Sequence, residues 1–138
     1  MPSKSEHLTR ADNNLRFAES FDPESTPYPD WVVAVYFYAA LHLVDALLDQ
    51  EDGIHPPNHE VRKQFVKDKP YLRGIKNEYR SLKDHSEAAR YNLTPMTSFK
   101  IRETIIPLYQ AIESHLKPQL EKPASDWTHP LLIKKEVK

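Results

Sequence analysis

The sequence predicts an all-α protein, an up-and-down bundle of four or five helices. Apolar residues recur at steps of three and four in several segments, which is the spacing of one face of an amphipathic helix. Twelve prolines divide the 138-residue chain into segments of helix length, and no segment alternates with a period of two for long enough to indicate a sheet. One segment is apolar on all sides, as is typical of the central helix of a bundle.

The first two helices are predicted from their caps and their apolar residues. Ser3 and Glu6 have the spacing of a capping box, and the amphipathic pattern that follows predicts a helix over about residues 4–21. The second helix is predicted to begin at Asp30, a good N-cap residue, and to continue through WVVAVYFYAALHLVDALLDQ. Gly53 ends this segment, since glycine is favoured just after the last turn of a helix.

The apolar second helix is expected to be a buried core helix. A membrane span needs about 20 predominantly apolar residues, and His42 and Asp45 interrupt this segment. The N-terminal segment lacks the basic and then apolar pattern of a secretory signal. The absence of cysteine fits a reducing compartment. We therefore expect a cytoplasmic protein with no membrane segment.

Two further helices are predicted in the middle of the chain. Asn58 can cap a short third helix. Pro70 stands where the first turn of a helix tolerates proline, and it opens the fourth helix. That helix shows the clearest period in the chain, through Leu72, Ile75, Tyr79, Leu82, Ser86 and Ala89. Gly74 inside it costs about 1 kcal/mol relative to alanine, which packing can compensate.

The last helix is predicted over about residues 97–117, with five apolar residues on one face. Pro107 lies in its middle and predicts a kink or a break. After Pro118 the chain is mostly polar. We therefore expect a helical bundle domain over residues 1–117 and a flexible or loosely docked C-terminal tail over residues 118–138.

A basic stripe is the first feature that indicates a function. It lies beside the apolar face of the fourth helix and consists of Lys69, Arg73, Lys76, Arg80 and Lys83. The second helix ends instead in acidic residues, and the formal net charge is only −1, so any site for a polyanion has to be local. The stripe fits a phosphate-bearing partner such as RNA or a nucleotide. It also fits an ordinary solvated helix face, or a basic strip that pairs with acidic residues across a dimer.

A polar face on the apolar second helix is the next feature, formed by Tyr38, His42, Asp45 and Asp49. Each of these groups needs a partner, because an unpaired buried polar group costs about 1–3 kcal/mol. In one interpretation this face forms the wall of a site, in which His42 acts as an acid, as a base or as a hydrogen-bond donor to phosphate. In the other, His42 is a satisfied buried histidine that pairs with Tyr38 or with Arg90 of the fourth helix.

The chain shows no signature of a cofactor or metal site. His55 and His59 are four residues apart, but two prolines separate them, and a zinc site needs three or four protein ligands. Neither a glycine-rich phosphate loop nor a nucleophile elbow is present. We expect neither a cofactor nor a metal ion.

Several segments, taken in order, resemble one known family. The run VYFYAALHLVDALL is followed by HPPNHEVR and by a long helix that ends in YRSLKDHSEAARY. Over about residues 28–117 this order resembles the HEPN superfamily, the higher eukaryotes and prokaryotes nucleotide-binding domains, in its small stand-alone bacterial and archaeal form. The resemblance implies a helical bundle of HEPN type, usually a homodimer. It also implies a toxin–antitoxin or defence-like system, in which some members pair with a minimal nucleotidyltransferase.

The resemblance implies a role for two further residues. Many family members are metal-independent ribonucleases with an arginine followed, after four to six residues, by a histidine. Arg80 and His85 match this pattern. By the family's logic, His85 would act as acid or base at the ribose 2′-hydroxyl, and Arg80 would stabilise charge on the phosphate. The closing SEAARY instead resembles a helix of family members that are not known as nucleases.

Three hypotheses for the function follow. The first is a nucleotide- or RNA-binding module, with these binding residues: His42, Arg73, Lys76, Lys83, Arg90 and Tyr91. Of these, the first and the last two are expected near a pocket. The second is a metal-independent endoribonuclease that uses Arg80 and His85. The third is a structural homodimer in which the basic stripe meets the acidic end of the second helix.

Overall fold

The computed structural model describes residues 2–91 and 95–121, and these residues form five helices and no strand. The helices are α1 (Lys4–Glu19), α2 (Pro29–Asp52), α3 (His59–Asp68), α4 (Lys76–Tyr91) and α5, which covers residues 98–120. The prediction of an all-α helical bundle is confirmed.

The core of the bundle is α2, which packs against α1, α4 and α5. Almost every residue from Val32 to Leu48 is buried. By length and composition α2 is apolar enough to cross a membrane, and 83% of its most apolar 18-residue window is buried inside the bundle. The other helices thus cover its apolar surface, as expected of a central helix.

Local capping fixes the ends of the first helices. The Ser3 hydroxyl accepts from the Glu6 amide at 3.2 Å, and the Glu6 carboxylate accepts from the Ser3 amide at 2.8 Å. The predicted capping box is therefore present. Gly53 ends α2 in the left-handed region, at φ 64°, as glycine permits. The prediction of Asp30 as the N-cap is wrong: Tyr28 occupies the cap position, α2 begins at Pro29, and Asp30 lies in the first turn. Proline suits the first helical position, which explains the earlier start.

The fourth helix begins later than predicted. Residues Arg73–Ile75 form a 3₁₀ turn, and regular α-helix starts only at Lys76. Gly74 lies in this turn against His115 of α5, where an added Cβ would be 2.4 Å from the imidazole Cε1. The absence of a side chain at Gly74 therefore leaves room for the imidazole of His115, which is exposed and would have to move aside for a larger residue.

The predicted irregularity at Pro107 is a π-helical turn. Residues Ile101–Ile105 form this turn between two α-helical parts, Ser98–Lys100 and Ile106–Leu120. A proline in a regular helix removes a hydrogen bond and its ring meets the carbonyl four residues earlier. The wider turn lies immediately before Pro107, so the proline occupies the first turn of the following α-helical part.

The last helix extends beyond the predicted domain boundary. α5 continues through Pro118 to Leu120, whose side chain is 4% exposed. The first three residues assigned to the tail therefore belong to the bundle. Glu121 caps α5, and the remaining tail residues, 122–138, lie outside the described residues.

Candidate nucleic-acid interface

A shallow groove lies where α2 begins and α4 ends. Its volume is about 420 Å³, and it is lined by Asp30, Trp31, Tyr38, Ala89, Arg90 and Tyr91. The side chain of Tyr91 is 71% exposed and that of Trp31 is 62% exposed. Two exposed aromatic rings in one groove offer flat surfaces on which a planar ligand can stack. We call this feature the Arg90 groove.

The guanidinium group of Arg90 is held between two aromatic rings. It lies 4.9 Å from the ring centre of Tyr91 and 5.4 Å from that of Tyr38, which are cation–π distances. Its Nη1 donates to the Tyr38 hydroxyl at 2.8 Å, and its Nε donates to the Ser86 carbonyl at 3.2 Å. None of the ion pairs between described residues includes Arg90. Its charge is oriented but not neutralised.

The α4 part of the basic stripe leads to this groove. Steps of four, three, four and three place five residues on one face of α4: Lys76, Arg80, Lys83, Glu87 and Arg90. Lys76 and Arg80 are exposed and belong to no ion pair between described residues. Lys83 is half-buried and pairs with Glu87 at 2.6 Å. Its charge is therefore largely compensated, unlike that of its neighbours on the stripe.

The two remaining residues of the stripe lie before α4. Arg73 is exposed in the 3₁₀ turn, where its Nη2 donates to the Asp68 carbonyl at 3.3 Å. The Lys69 ammonium pairs with Asp52 at 3.0 Å. Of these two, only Arg73 keeps a charge that no carboxylate of the described residues offsets at short range.

A buried ion pair connects α2 to α3 next to this face. Arg62 Nε lies 2.7 Å from Asp45 Oδ1, and Arg62 Nη2 lies 3.0 Å from Asp45 Oδ2. The two residues are only 8% and 5% exposed. The third nitrogen, Arg62 Nη1, lies 3.3 Å from Nδ1 of His59. Because a guanidinium only donates, His59 accepts at Nδ1 and carries its proton on Nε2.

His59 is exposed at the start of α3 and lies among positive charges. Partial burial of the ring lowers the pKa of His59, and the charges of Arg62, Lys83 and Arg90 lower it further, against Glu87. The imidazole is therefore neutral at pH 7. The sequence singles out His59 only through its spacing from His55, which suggests a metal pair. Sequence spacing does not show which residues of α4 lie near His59.

His42 pairs with α1 and is not among the residues that line the Arg90 groove. Its Nδ1 lies 3.1 Å from Nδ1 of His7. Burial lowers the pKa of His42 to about 4 and also lowers that of His7, so at pH 7 both rings are neutral and one donates to the other. The two expected partners, Tyr38 and Arg90, bond to each other instead. The sequence does indicate that His7 is buried, because it stands four residues before Ala11 on the apolar face of α1. A buried histidine needs a polar partner.

The acidic end of α2 is paired within the chain. Asp49 accepts from the Lys4 amide at 2.8 Å and from His55 Nε2 at 3.2 Å. Asp52, besides its ion pair with a lysine, accepts from the Tyr71 hydroxyl. The third hypothesis needs these carboxylates, together with Glu51, for the basic stripe of a second protomer. Glu51 accepts from the side-chain amide of Gln50 at 2.8 Å.

Arg80 and His85 diverge within one protomer. Five residues along a continuous helix turn the side-chain direction by about 140°. Arg80 is exposed on the basic stripe, whereas His85 is half-buried. Burial lowers the pKa of His85, and so does the charge of Lys100 on α5. A joint action of the two residues thus needs a second protomer or a substrate that reaches around α4.

The described residues contain no group of three or more histidine, aspartate and glutamate side chains arranged to hold a metal ion. The histidines near α2 have other partners. His7 and His42 bond to each other, His55 bonds to Asp49, and His59 accepts at Nδ1 from an arginine.

Comparison with known proteins adds no relative from which a function can be transferred. No protein-family model, no curated protein and no solved structure matches this chain. The resemblance to the HEPN superfamily therefore stays a prediction.

Proposed function

We propose that the protein binds RNA or a nucleotide at the Arg90 groove and along the α4 part of the basic stripe. The junction at Arg90 carries the proposal. There an unneutralised guanidinium, held between Tyr38 and Tyr91, stands where exposed cations end and exposed aromatic rings begin. A nucleotide has the same order of parts, a phosphate and a planar base. Cations attract the phosphate, and aromatic rings stack on the base.

The groove is lined by one carboxylate, Asp30, and one guanidinium, Arg90, and the exposed cations of the adjoining basic stripe favour an anionic ligand over a cationic one. Aromatic rings can also bind a quaternary ammonium group. Here, however, the Arg90 guanidinium already lies over the rings of Tyr38 and Tyr91. A cationic ligand would have to displace it or bear its repulsion, whereas a phosphate is attracted to it.

The wider biological setting follows from the HEPN resemblance alone. On that basis we place the protein in a toxin–antitoxin or defence-like system, as a cytoplasmic homodimer with a nucleotidyltransferase-type partner. The purely structural homodimer is the weaker alternative. Asp49 and Asp52, which it would use to bind the basic stripe of a second copy, already have partners inside the chain.

Binding measurements on matched variants test the proposal. We expect fluorescence anisotropy with labelled single-stranded RNA to show an affinity that falls steeply from 50 to 200 mM salt, because phosphate contacts release counterions. Tyr91→Ala is expected to weaken binding by about fivefold or more, since stacking contributes about 1–3 kcal/mol per base. Arg90→Ala removes a charge contact and is expected to weaken binding to a similar extent. Arg16→Ala, an exposed arginine on α1 that pairs with Asp12, is the control and should bind like the wild type.

Two results would contradict the proposal. One is the absence of binding to RNA and to free nucleotides at low salt. The other is binding that loses no affinity in Arg90→Ala and Tyr91→Ala, which would show that the ligand lies elsewhere. Arg90 is half-buried and Tyr91 is exposed, so both variants are expected to fold. Circular dichroism checks this for each variant.

The same RNA, incubated in EDTA, distinguishes binding from cleavage. Cleavage that is present in the wild type and lost in both Arg80→Ala and His85→Ala would make the protein a metal-independent ribonuclease. Intact RNA at all protein concentrations is the result that the binding proposal expects.

A further inference from the structure

We propose that His59 is a phosphate-binding residue of this site, held by Asp45 and Arg62 so that its Nε2–H donates to the ligand. The inference rests on the proposed binding of RNA or a nucleotide and deepens it. The group recognised is a phosphate, which belongs either to a free nucleotide or to the backbone of RNA.

The orientation of His59 is set from inside the bundle. Asp45 on α2 fixes the Arg62 guanidinium through two hydrogen bonds, at 2.7 and 3.0 Å. The remaining nitrogen of Arg62 donates to Nδ1 of His59 at 3.3 Å. The Nδ1 lone pair is therefore occupied, and the proton of the neutral ring is on Nε2. A buried ion pair thus determines the tautomer of an exposed imidazole.

The surroundings of His59 suit an anion. After burial, the charges of Arg62, Lys83 and Arg90 lower the pKa of the His59 ring, and the carboxylate of Glu87 acts against them. That carboxylate is itself held by Lys83 at 2.6 Å. A neutral ring that donates from Nε2 adds a directional hydrogen bond to this positive field. Phosphate oxygens accept such bonds strongly.

A structural role does not need the contact with His59. The two hydrogen bonds between Asp45 and Arg62 already connect α2 to α3. The start of α3 is fixed separately, because the Asn58 side chain accepts from the Val61 amide at 2.9 Å. The ring centre of His59 lies 6.0 Å from that of the buried Phe37, but the residue as a whole is exposed and so remains accessible to a ligand.

Two amide substitutions separate the two ring nitrogens. The amide nitrogen of His59→Gln reaches the place of Nε2, whereas that of His59→Asn reaches only the place of Nδ1. We expect His59→Gln to keep the affinity within about twofold. His59→Asn and His59→Ala should each lose about tenfold, the effect of one hydrogen bond to a charged group. The melting temperature of each variant is measured beside its affinity, because the substitutions alter the acceptor of Arg62 Nη1 and the contact of the ring with Phe37. Affinities are compared at a temperature at which all three variants are folded.

Three probes identify the source of the phosphate: a nucleoside, its 5′-monophosphate and a short single-stranded RNA. A loss confined to the two phosphate-bearing probes supports a terminal-phosphate contact, and a loss with RNA alone supports a backbone contact. Equal loss in His59→Gln and His59→Asn would overturn the inference. So would an imidazole that carries its proton on Nδ1 in the ¹⁵N NMR spectrum of the free protein.

Failure of this inference can be told from failure of the proposed function. If the wild type binds RNA and Arg90→Ala weakens it while every His59 variant binds normally, only the inference is wrong. If the wild type binds no probe, the proposed function fails and the inference with it.

Discussion

Single residues of this protein show how a charge is kept available for a ligand. Arg90 has its guanidinium plane fixed by two aromatic rings and by bonds to the Tyr38 hydroxyl and the Ser86 carbonyl. Those acceptors are neutral, so the arginine loses mobility without losing charge. A side chain that is already ordered gives up less conformational entropy on binding. Lys83 differs, because its partner at 2.6 Å is the carboxylate of Glu87, which offsets its charge.

Asp45 and Arg62 form a buried ion pair that connects α2 to α3. Removing one partner leaves the other as an uncompensated buried charge, which costs about 3–5 kcal/mol. We therefore expect Asp45→Ala to lower the free energy of unfolding by that amount in chemical denaturation. The control is the exposed pair Lys63–Glu60 on α3, at 3.7 Å, whose removal by Glu60→Ala should change stability by less than about 1 kcal/mol. Equal effects of the two substitutions would show that the buried pair does not stabilise the fold.

At the scale of helices, α1 and α2 are joined by a pair of histidines that stays neutral. His7 and His42 meet through their Nδ1 atoms at 3.1 Å, and both have lowered pKa values, about 4 for His42. In the unfolded chain each titrates near pH 6.5. Above pH 6.5 neither state binds a proton at these rings, so the stability is complete. Below it only the unfolded state does, and stability falls until the folded pKa is reached.

The resulting pH dependence is testable. For His42 the loss is about 2 kcal/mol at pH 5. We expect the free energy of unfolding of the wild type to fall more between pH 7 and pH 5 than that of His42→Asn, whose amide stands at the place of Nδ1 and can accept or donate there without titrating. The comparison cancels the titration of the other histidines and of the carboxylates. The same decline in both proteins would show that the pair does not carry the effect.

Helices were also the scale at which the sequence was most informative. The period of α4 and the uniformly apolar α2 both predict their burial, because helical spacing alone determines which side chains share a face. The capping box of Ser3 and Glu6 and the left-handed Gly53 are likewise local. At Pro107 the sequence predicts a kink or a break but not the π turn, since a helix can accommodate a proline in several ways.

The site was less predictable, because its contacts join distant parts of the chain. Arg90 and Tyr91 are expected near a pocket and do line one. Trp31 belongs to the core helix, as predicted, but nothing in the sequence indicates that it is exposed in the same groove. The partner of His42 is 35 residues away on another helix. The hydrogen bond between Arg62 and His59 joins residues of the same helix, but the orientation of the Arg62 guanidinium depends on Asp45 of α2. Sequence spacing does not determine such meetings; helix packing does.

At the scale of the whole molecule, charge is separated although the net charge is only −1. Lys76, Arg80 and Arg90 keep their charges free of carboxylate partners among the described residues, while the acidic end of α2 is used internally. The exposed cations of α4 therefore lead to the Arg90 groove, while Asp49 and Asp52 already have partners within the chain. This layout favours a phosphate-bearing ligand as its counterpart.

The central claim is that a base stacks in the Arg90 groove, and the fluorescence of Trp31 tests it most directly. The chain has two tryptophans, so Trp127→Phe leaves Trp31 as the only one. We predict that single-stranded RNA quenches this fluorescence to saturation, with the same dissociation constant as anisotropy gives, and that Arg90→Ala shifts both equally. RNA that binds by anisotropy and leaves the fluorescence of Trp31 unchanged would contradict the account.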